Sequence, residues 1–184
     1  MEEKDKVVGV DLQITPRIYT RNGYKEKAAV IQLCVGEECL MYHIYCAADG
    51  IPLELDVVFR KWEYKFVGFD IPKDQKMLYY CLNPLFIINH IDMHASWRNP
   101  DIGSTRKQTI MDVAAIFVDK SYKDSVVLTA EEHRQWGVSR LSENHLMYAA
   151  KHAYVCSELF KRMDFYERGC KHPPYVKKNE ATPS

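Results

Sequence analysis

The sequence predicts an α/β domain, a mixed five-stranded sheet flanked by helices on both faces, and three observations carry that prediction. The run Val7-Val8-Gly9-Val10-Asp11-Leu12-Gln13 is short, apolar and β-branched, with turn residues Thr15-Pro16 behind it, the pattern of a buried central strand. Residues 28–35 and 39–45 are apolar runs separated by a short Gly-containing loop at Gly36, the pattern of an antiparallel hairpin laid beside that strand. Leu146, Ala149, Ala150, Ala153, Cys156, Leu159, Phe160 and Met163 recur at three- and four-residue steps behind Ser142, an N-cap, and predict a long last helix.

The remaining elements fall between these. Residues 17–27 are polar and carry Asn22-Gly23, a strong turn signal, so a loop or small hairpin fits there. Pro52 opens a helix whose apolar face is Leu53, Leu55, Val58, Phe59 and Trp62. Residues 64–69 read as the fourth strand. Pro72 starts a second helix with Asp74 in its first turn, where a carboxylate suits the helix dipole. Residues 86–91 read as a fifth strand, with Asp92 placed to cap the next segment. Residues 98–107 are rich in turn formers and predict a loop; Ile110, Val113, Ala114, Phe117 and Val118 then mark an amphipathic helix. Residues 1–166 are expected to form one domain, and 167–184, rich in Lys, Pro and small polar residues, a disordered tail.

Composition narrows the function classes. The chain has 184 residues, 25 Lys and Arg against 25 Asp and Glu, so it lacks the overall basic excess common in nucleic-acid binders, while a local basic groove stays open. No apolar run approaches membrane-spanning length, and the acidic start carries neither a secretory signal nor an Arg-rich transit peptide. An intracellular protein, cytoplasmic or nuclear and without a membrane, is expected. The six cysteines form no C-x-x-C pair and are expected as free thiols, most of them buried. Among the seven histidines only His90 and His94 are spaced H-x-x-x-H, and no C-x-x-C pair accompanies them, which argues against structural zinc.

The candidate site starts at the mouth of the first strand. Side chains alternate along a strand, so Asp11 and Gln13 share a face: one acid and one amide where a metal-dependent nuclease would place two acids. Asp74 sits near the mouth of the fourth strand. On the last helix Tyr148 and His152 are four residues apart and point the same way. Lys73 and Lys76 flank Asp74, Lys151 adjoins His152, and Tyr79 and Tyr80 lie close by in sequence, a set suited to phosphate contact and base stacking as well as to an ordinary solvated face.

With these residues placed, the chain resembles the Werner-type 3′–5′ exonucleases of the DEDD superfamily, which have a ribonuclease H-like fold. The family's Asp-x-Glu on strand one appears as Asp11-Leu12-Gln13. Its second motif, an Asp six residues after the Gly of a Val-Gly strand, appears as Val67-Gly68 followed by Asp74. Its third, Tyr-x-x-x-Asp on the last helix, often followed by Ala-Tyr-Val, appears as Tyr148 to His152 followed by Ala153-Tyr154-Val155. The hairpin residues 31–36 and Trp136 look like the small single-domain plant members. The resemblance spans about residues 7–163.

The resemblance implies a site in which four acids hold two divalent ions, usually Mg²⁺, and a Tyr orients the attacking water. Carried over residue by residue, Asp11 and Asp74 match as metal ligands, Gln13 and His152 stand at substituted ligand positions, and Tyr148 is present. Mg²⁺ prefers hard oxygen ligands, a His suits Mn²⁺ or Zn²⁺ better, and a protonated His repels any cation. Two readings are open. In the first, the chain is a catalytically impaired exonuclease-fold protein with no metal or a weakly held Mg²⁺ or Mn²⁺. It would act through partner chains, as a homo-oligomer or a mixed oligomer with active relatives, or through weak binding of single-stranded nucleic acid. In the second, it is an active 3′–5′ exonuclease on single-stranded RNA or DNA that uses Mn²⁺ or a rearranged site, with help from Asp70.

Overall fold

In the computed structural model, residues 6–21, 23–81, 83–93, 109–125 and 127–167 are described. The strands are β1 (Val7–Ile14), β2 (Ile18–Thr20), β3 (Gly23–Lys25), β4 (Ala28–Val35), β5 (Glu38–Tyr42), β6 (Lys65–Gly68) and β7 (His90–Asp92). The helices are α1 (Leu53–Phe59), α2 (Ile71–Tyr79), α3 (Ile110–Phe117) and α4 (Glu143–Glu167). Five strands form one mixed sheet in the order β5-β4-β1-β6-β7, and β2 and β3 form a separate two-stranded hairpin. β1 is central, antiparallel to β4 and parallel to β6, as its apolar run on both faces requires.

Alternation along β1 divides the core. Val8, Val10 and Leu12 pack with Leu55 and Phe59 of α1 and Ile71 and Leu78 of α2. On the other face, Val67 packs with Val113 of α3 and with Val155, Cys156 and Leu159 of α4. Helices therefore cover both faces of the sheet, and each buried Leu, Ile or Phe contributes about 1.5–3 kcal/mol. α4 lies directly on β1 at Gly9, where any added Cβ would run into the Ala153 carbonyl. Lacking a side chain at that one position, β1 lets the helix approach closely enough for residues of both to meet at Asp11.

Several expectations change. Cys34 and Cys39 are joined in a disulfide rather than free; they face each other across the β4–β5 hairpin with Cα atoms 4.2 Å apart, the close spacing of a non-hydrogen-bonded pair. Cys156 is buried, Cys81 half-buried and Cys46 exposed; Cys170 lies outside the described residues. The fifth strand shortens to His90–Asp92. Before it, the Gln75 side chain donates Nε2–H to the Leu85 carbonyl (2.7 Å) and accepts the Ile87 N–H (2.9 Å), holding residues 85–87 out of the ladder. Leu53 and Trp62, assigned to the apolar face of α1, are each 72% exposed, since α1 ends at Phe59 and only Leu55 and Phe59 of it are buried. The predicted loop over 98–107 and residues 168–184 of the predicted tail lie outside the described residues.

Candidate active site

Asp11 projects from the face of β1 that α4 covers. Its Oδ2 accepts a hydrogen bond from Gln13 Nε2 at 2.6 Å, and His152 Nδ1 stands 3.8 Å from the same oxygen. The Gln13 amide thus turns back on its neighbour, where a carboxylate at this position would be repelled. Tyr148, one turn before His152 on α4, stacks on the imidazole with ring centroids 4.1 Å apart. The His133 ring meets the other side of Tyr148 edge-on at 5.2 Å, and Trp136, buried beneath, lies 6.2 Å from it.

The second acid is held differently. Asp74 enters from the first turn of α2, its N–H bonded to the Asp70 carbonyl, and is only 8% exposed. Among the described residues no hydrogen bond reaches its carboxyl. Asp70, which precedes α2, adopts the left-handed region at φ 59°, and its N–H is accepted by Asp92 Oδ1 at 3.1 Å. The segment that Asp92 was expected to cap lies outside the described residues, and Asp92 reaches back to fix this turn. Its neighbour across the sheet, Gly68, supplies the reason: β7 pairs with β6 so that Asp92 ends level with the start of the turn into α2.

Electrostatics follow from burial. Desolvation, reinforced by the charges of Asp11, Asp70 and Asp92 against the opposing pull of Lys73, pushes the Asp74 carboxyl up to about 9, so it is protonated at neutral pH. Burial raises Asp11 as well, opposed by His152, the Leu12 N–H, the Gln13 amide and Lys73. His152 is lowered, because desolvation and His133 outweigh the attraction of Asp11. It is therefore neutral at pH 7, and its 3.8 Å approach to Asp11 is a dipolar contact rather than an ion pair. Tyr148 is pushed up to about 12, first by burial and then by Asp11, so its phenol keeps its proton.

The residues picked out from sequence do meet: Asp11, Gln13, Tyr148 and His152 are in contact, and Asp74 and Lys73 are electrostatically coupled to Asp11. Lys76 and Lys151 are elsewhere. Lys76 lines a groove with Met77 and Tyr80, and Lys151 lines a separate cleft with Arg162. Sequence reading missed His133 and the contact of Asp92 with Asp70. The segment carrying His133 has no periodic pattern, and the Asp92 contact depends on how β7 pairs with β6.

These residues do not fit a two-metal centre. Gln13 and His152 bring no negative charge to the edge, the Gln13 amide donates to Asp11 Oδ2, and among the described residues no three His, Cys, Asp or Glu side chains converge as a metal-holding group. What remains is a half-buried polar edge of two carboxyls, an amide, a neutral imidazole and a protonated phenol, able to exchange hydrogen bonds.

No protein-family model matches the sequence, and no curated protein matches it. Solved structures do. The EXO domain of Nibbler from Aedes aegypti superposes with a TM-score of 0.63 at 16% identity, covering 91% of this chain and 82% of that one. NrnC from Brucella melitensis superposes with a TM-score of 0.62 at 13% identity, covering 89% of this chain and 76% of that one. NrnC was also solved with bound Mg²⁺ and superposes there with a TM-score of 0.61. At these identities the likeness shows the fold alone, a ribonuclease H-like mixed sheet flanked by helices.

Proposed function

We propose that this chain is a catalytically impaired 3′–5′ exonuclease-fold domain that binds single-stranded nucleic acid without cutting it. The carrying observation is the state of Asp11: its Oδ2 is taken by the Gln13 amide at 2.6 Å, and His152 stands beside it where a further carboxylate would complete the site. Hydrolysis of a phosphodiester needs charge stabilisation at the developing oxyanion, and removal of one such group commonly costs about 10²–10³ in rate. Here the two positions that the resemblance assigns to further acids are an amide, Gln13, and an imidazole, His152. The same loss of negative charge lowers the repulsion that a phosphate would meet at this edge, so binding without cleavage is the consistent outcome.

The test is incubation of the purified protein with 5′-labelled single-stranded RNA and DNA in Mg²⁺ and in Mn²⁺, with Asp11→Ala in parallel. The expected result is no shortening in either metal, with retention of the intact strand in a binding assay. Shortening from the 3′ end that disappears in Asp11→Ala would overturn the proposal and make His152 a working ligand.

A further inference from the structure

Outside the carboxylate edge, one groove gathers four of this net-neutral chain's cations. This groove of about 750 Å³ between the β2–β3 hairpin and α2 is lined by Arg21, Lys25, Lys27 and Lys76, with Met77 and Tyr80 as its apolar floor. The single acid lining it, Glu26, has its carboxylate 3.6 Å from Arg17 Nε, which offsets its charge from outside. Among the described residues none of the four lining cations is in an ion pair. The groove continues into a second hollow of about 470 Å³ that shares Glu26, Lys27, Met77 and Tyr80 and adds Tyr45. Tyr80 is 73% exposed, and Lys27 Nζ stands 6.0 Å over the Tyr45 ring.

Such an arrangement has little structural use. Exposed like charges repel one another, and exposed tyrosines contribute little to the core, so neither stabilises the fold. Four unpaired cations along a channel floored by aromatic and thioether groups is instead the chemistry that tracks a polyanion carrying flat rings. The position is also fixed. Lys27 is tied to the end of β1 by a pair of bonds, Lys27 N–H to Thr15 Oγ1 at 3.0 Å and Thr15 N–H to the Lys27 carbonyl at 2.8 Å. On α2, Lys73 shares a helical stripe with Lys76, Met77 and Tyr80, at steps of three, four and seven residues. Lys73 acts on both Asp11 and Asp74, so the stripe runs from the carboxylate edge into the groove.

We infer that the groove formed by Arg21, Lys25, Lys27, Lys76 and Tyr80 is a binding track for the backbone and bases of single-stranded nucleic acid, separate from the carboxylate edge. Phosphates lie along the four cations, and bases stack on Tyr80 and Tyr45. The inference rests on the proposed function, that the chain holds single strands, and it assigns that binding to a defined surface. A duplex, with its bases stacked internally, offers no free ring faces to the tyrosines and binds more weakly.

The experiment is fluorescence-anisotropy binding of labelled single-stranded RNA, single-stranded DNA, duplex DNA and poly-glutamate, in EDTA and across a salt series. The proteins are wild type, the triple variant Lys25→Glu/Lys27→Glu/Lys76→Glu, Tyr80→Ala, and the control Lys120→Glu/Lys123→Glu on exposed residues that line no part of the groove. The expected result is single-strand binding that the triple variant weakens at least about tenfold, with the slope of log K against log salt smaller by about two for three lost phosphate contacts. Tyr80→Ala weakens it by roughly tenfold with the slope unchanged, and the control behaves as wild type. Wild-type failure to bind at low salt, equal binding by the triple variant, or preference for poly-glutamate over the strands each overturns the assignment. Because EDTA removes cleavage, the outcomes separate: metal-dependent shortening alongside a weakened triple variant overturns the impaired-enzyme reading while supporting the track.

Discussion

The carboxylate edge and the basic groove share helix α2, yet they handle charge in opposite ways. At the edge, ionisable groups are buried and give up their charge or their free lone pairs: Asp74 is protonated, His152 neutral, and Asp11 occupied by Gln13. In the groove the charges stay on the surface, solvated and without partners among the described residues. A buried charge without a compensating ion costs several kcal/mol and is removed by protonation or by an internal hydrogen bond; an exposed one costs almost nothing and stays available. At the edge, then, the polar groups satisfy one another, while in the groove the charges stay exposed to an external ligand.

The largest expected effect comes from reversing the arrangement at the edge. Gln13→Glu with His152→Asp restores four acids, removes the donor that occupies Asp11, and should raise Mg²⁺-dependent cleavage of a labelled single strand by about 10²-fold or more over wild type. No gain would mean that the edge has decayed beyond its ligands. Next is the contact that sets the edge's geometry. Gly9→Ala places a methyl against the Ala153 carbonyl, forcing α4 away from β1, and should destabilise the fold by about 3 kcal/mol, read from urea unfolding. A near-neutral result would show that α4 is not held at the separation that brings His152 to Asp11.

A smaller effect concerns pH. The carboxyl of Asp74 binds its proton more tightly folded than unfolded, so between its unfolded value near 3.8 and its folded value of about 9 the native state holds the extra proton. Its contribution is fully present below that window and is lost as pH rises through it, at up to about 1.4 kcal/mol per pH unit. Asp74→Asn, which cannot titrate, should flatten the fall of stability with pH in denaturant melts from pH 5 to about 9. An unchanged slope would mean that the carboxyl is ionised in the folded protein. The smallest effect is expected from the groove: Tyr80→Ala and Lys76→Glu should each shift stability by less than about 0.5 kcal/mol in the same melts, since these side chains face solvent. A loss several times larger would assign them a structural role.

Much of this arrangement is legible in sequence because it depends on local periodicity. The apolar run of β1 announces a central strand, alternation puts Asp11 and Gln13 on one face, and a four-residue step puts Tyr148 over His152; all three hold in the structure. What escapes is whatever depends on register or on a side chain far along the chain. The shortening of β7 follows from Gln75 capturing residues ten and twelve positions away. The Cys34–Cys39 bridge follows from hairpin register, and the compositional argument for free thiols could not see that the turn places the two opposite each other. His133 joins the edge from a segment with no helical or strand pattern. The groove draws its cations from the hairpin, from the start of β4 and from α2, so Lys76 is visible in sequence as a candidate while its partners Arg21, Lys25 and Lys27 are not.

The most direct test of the central claim is a Mn²⁺ titration at neutral pH, followed by electron paramagnetic resonance, of the wild-type protein beside Asp11→Ala and the Gln13→Glu/His152→Asp variant. If the polar groups of the edge satisfy one another, wild type and Asp11→Ala show the same weak, unsaturated binding, and the double variant alone gains a saturable site. Tight, saturable binding by wild type that Asp11→Ala abolishes would contradict the account, because Asp11 would then be ligating a metal rather than accepting the amide of Gln13.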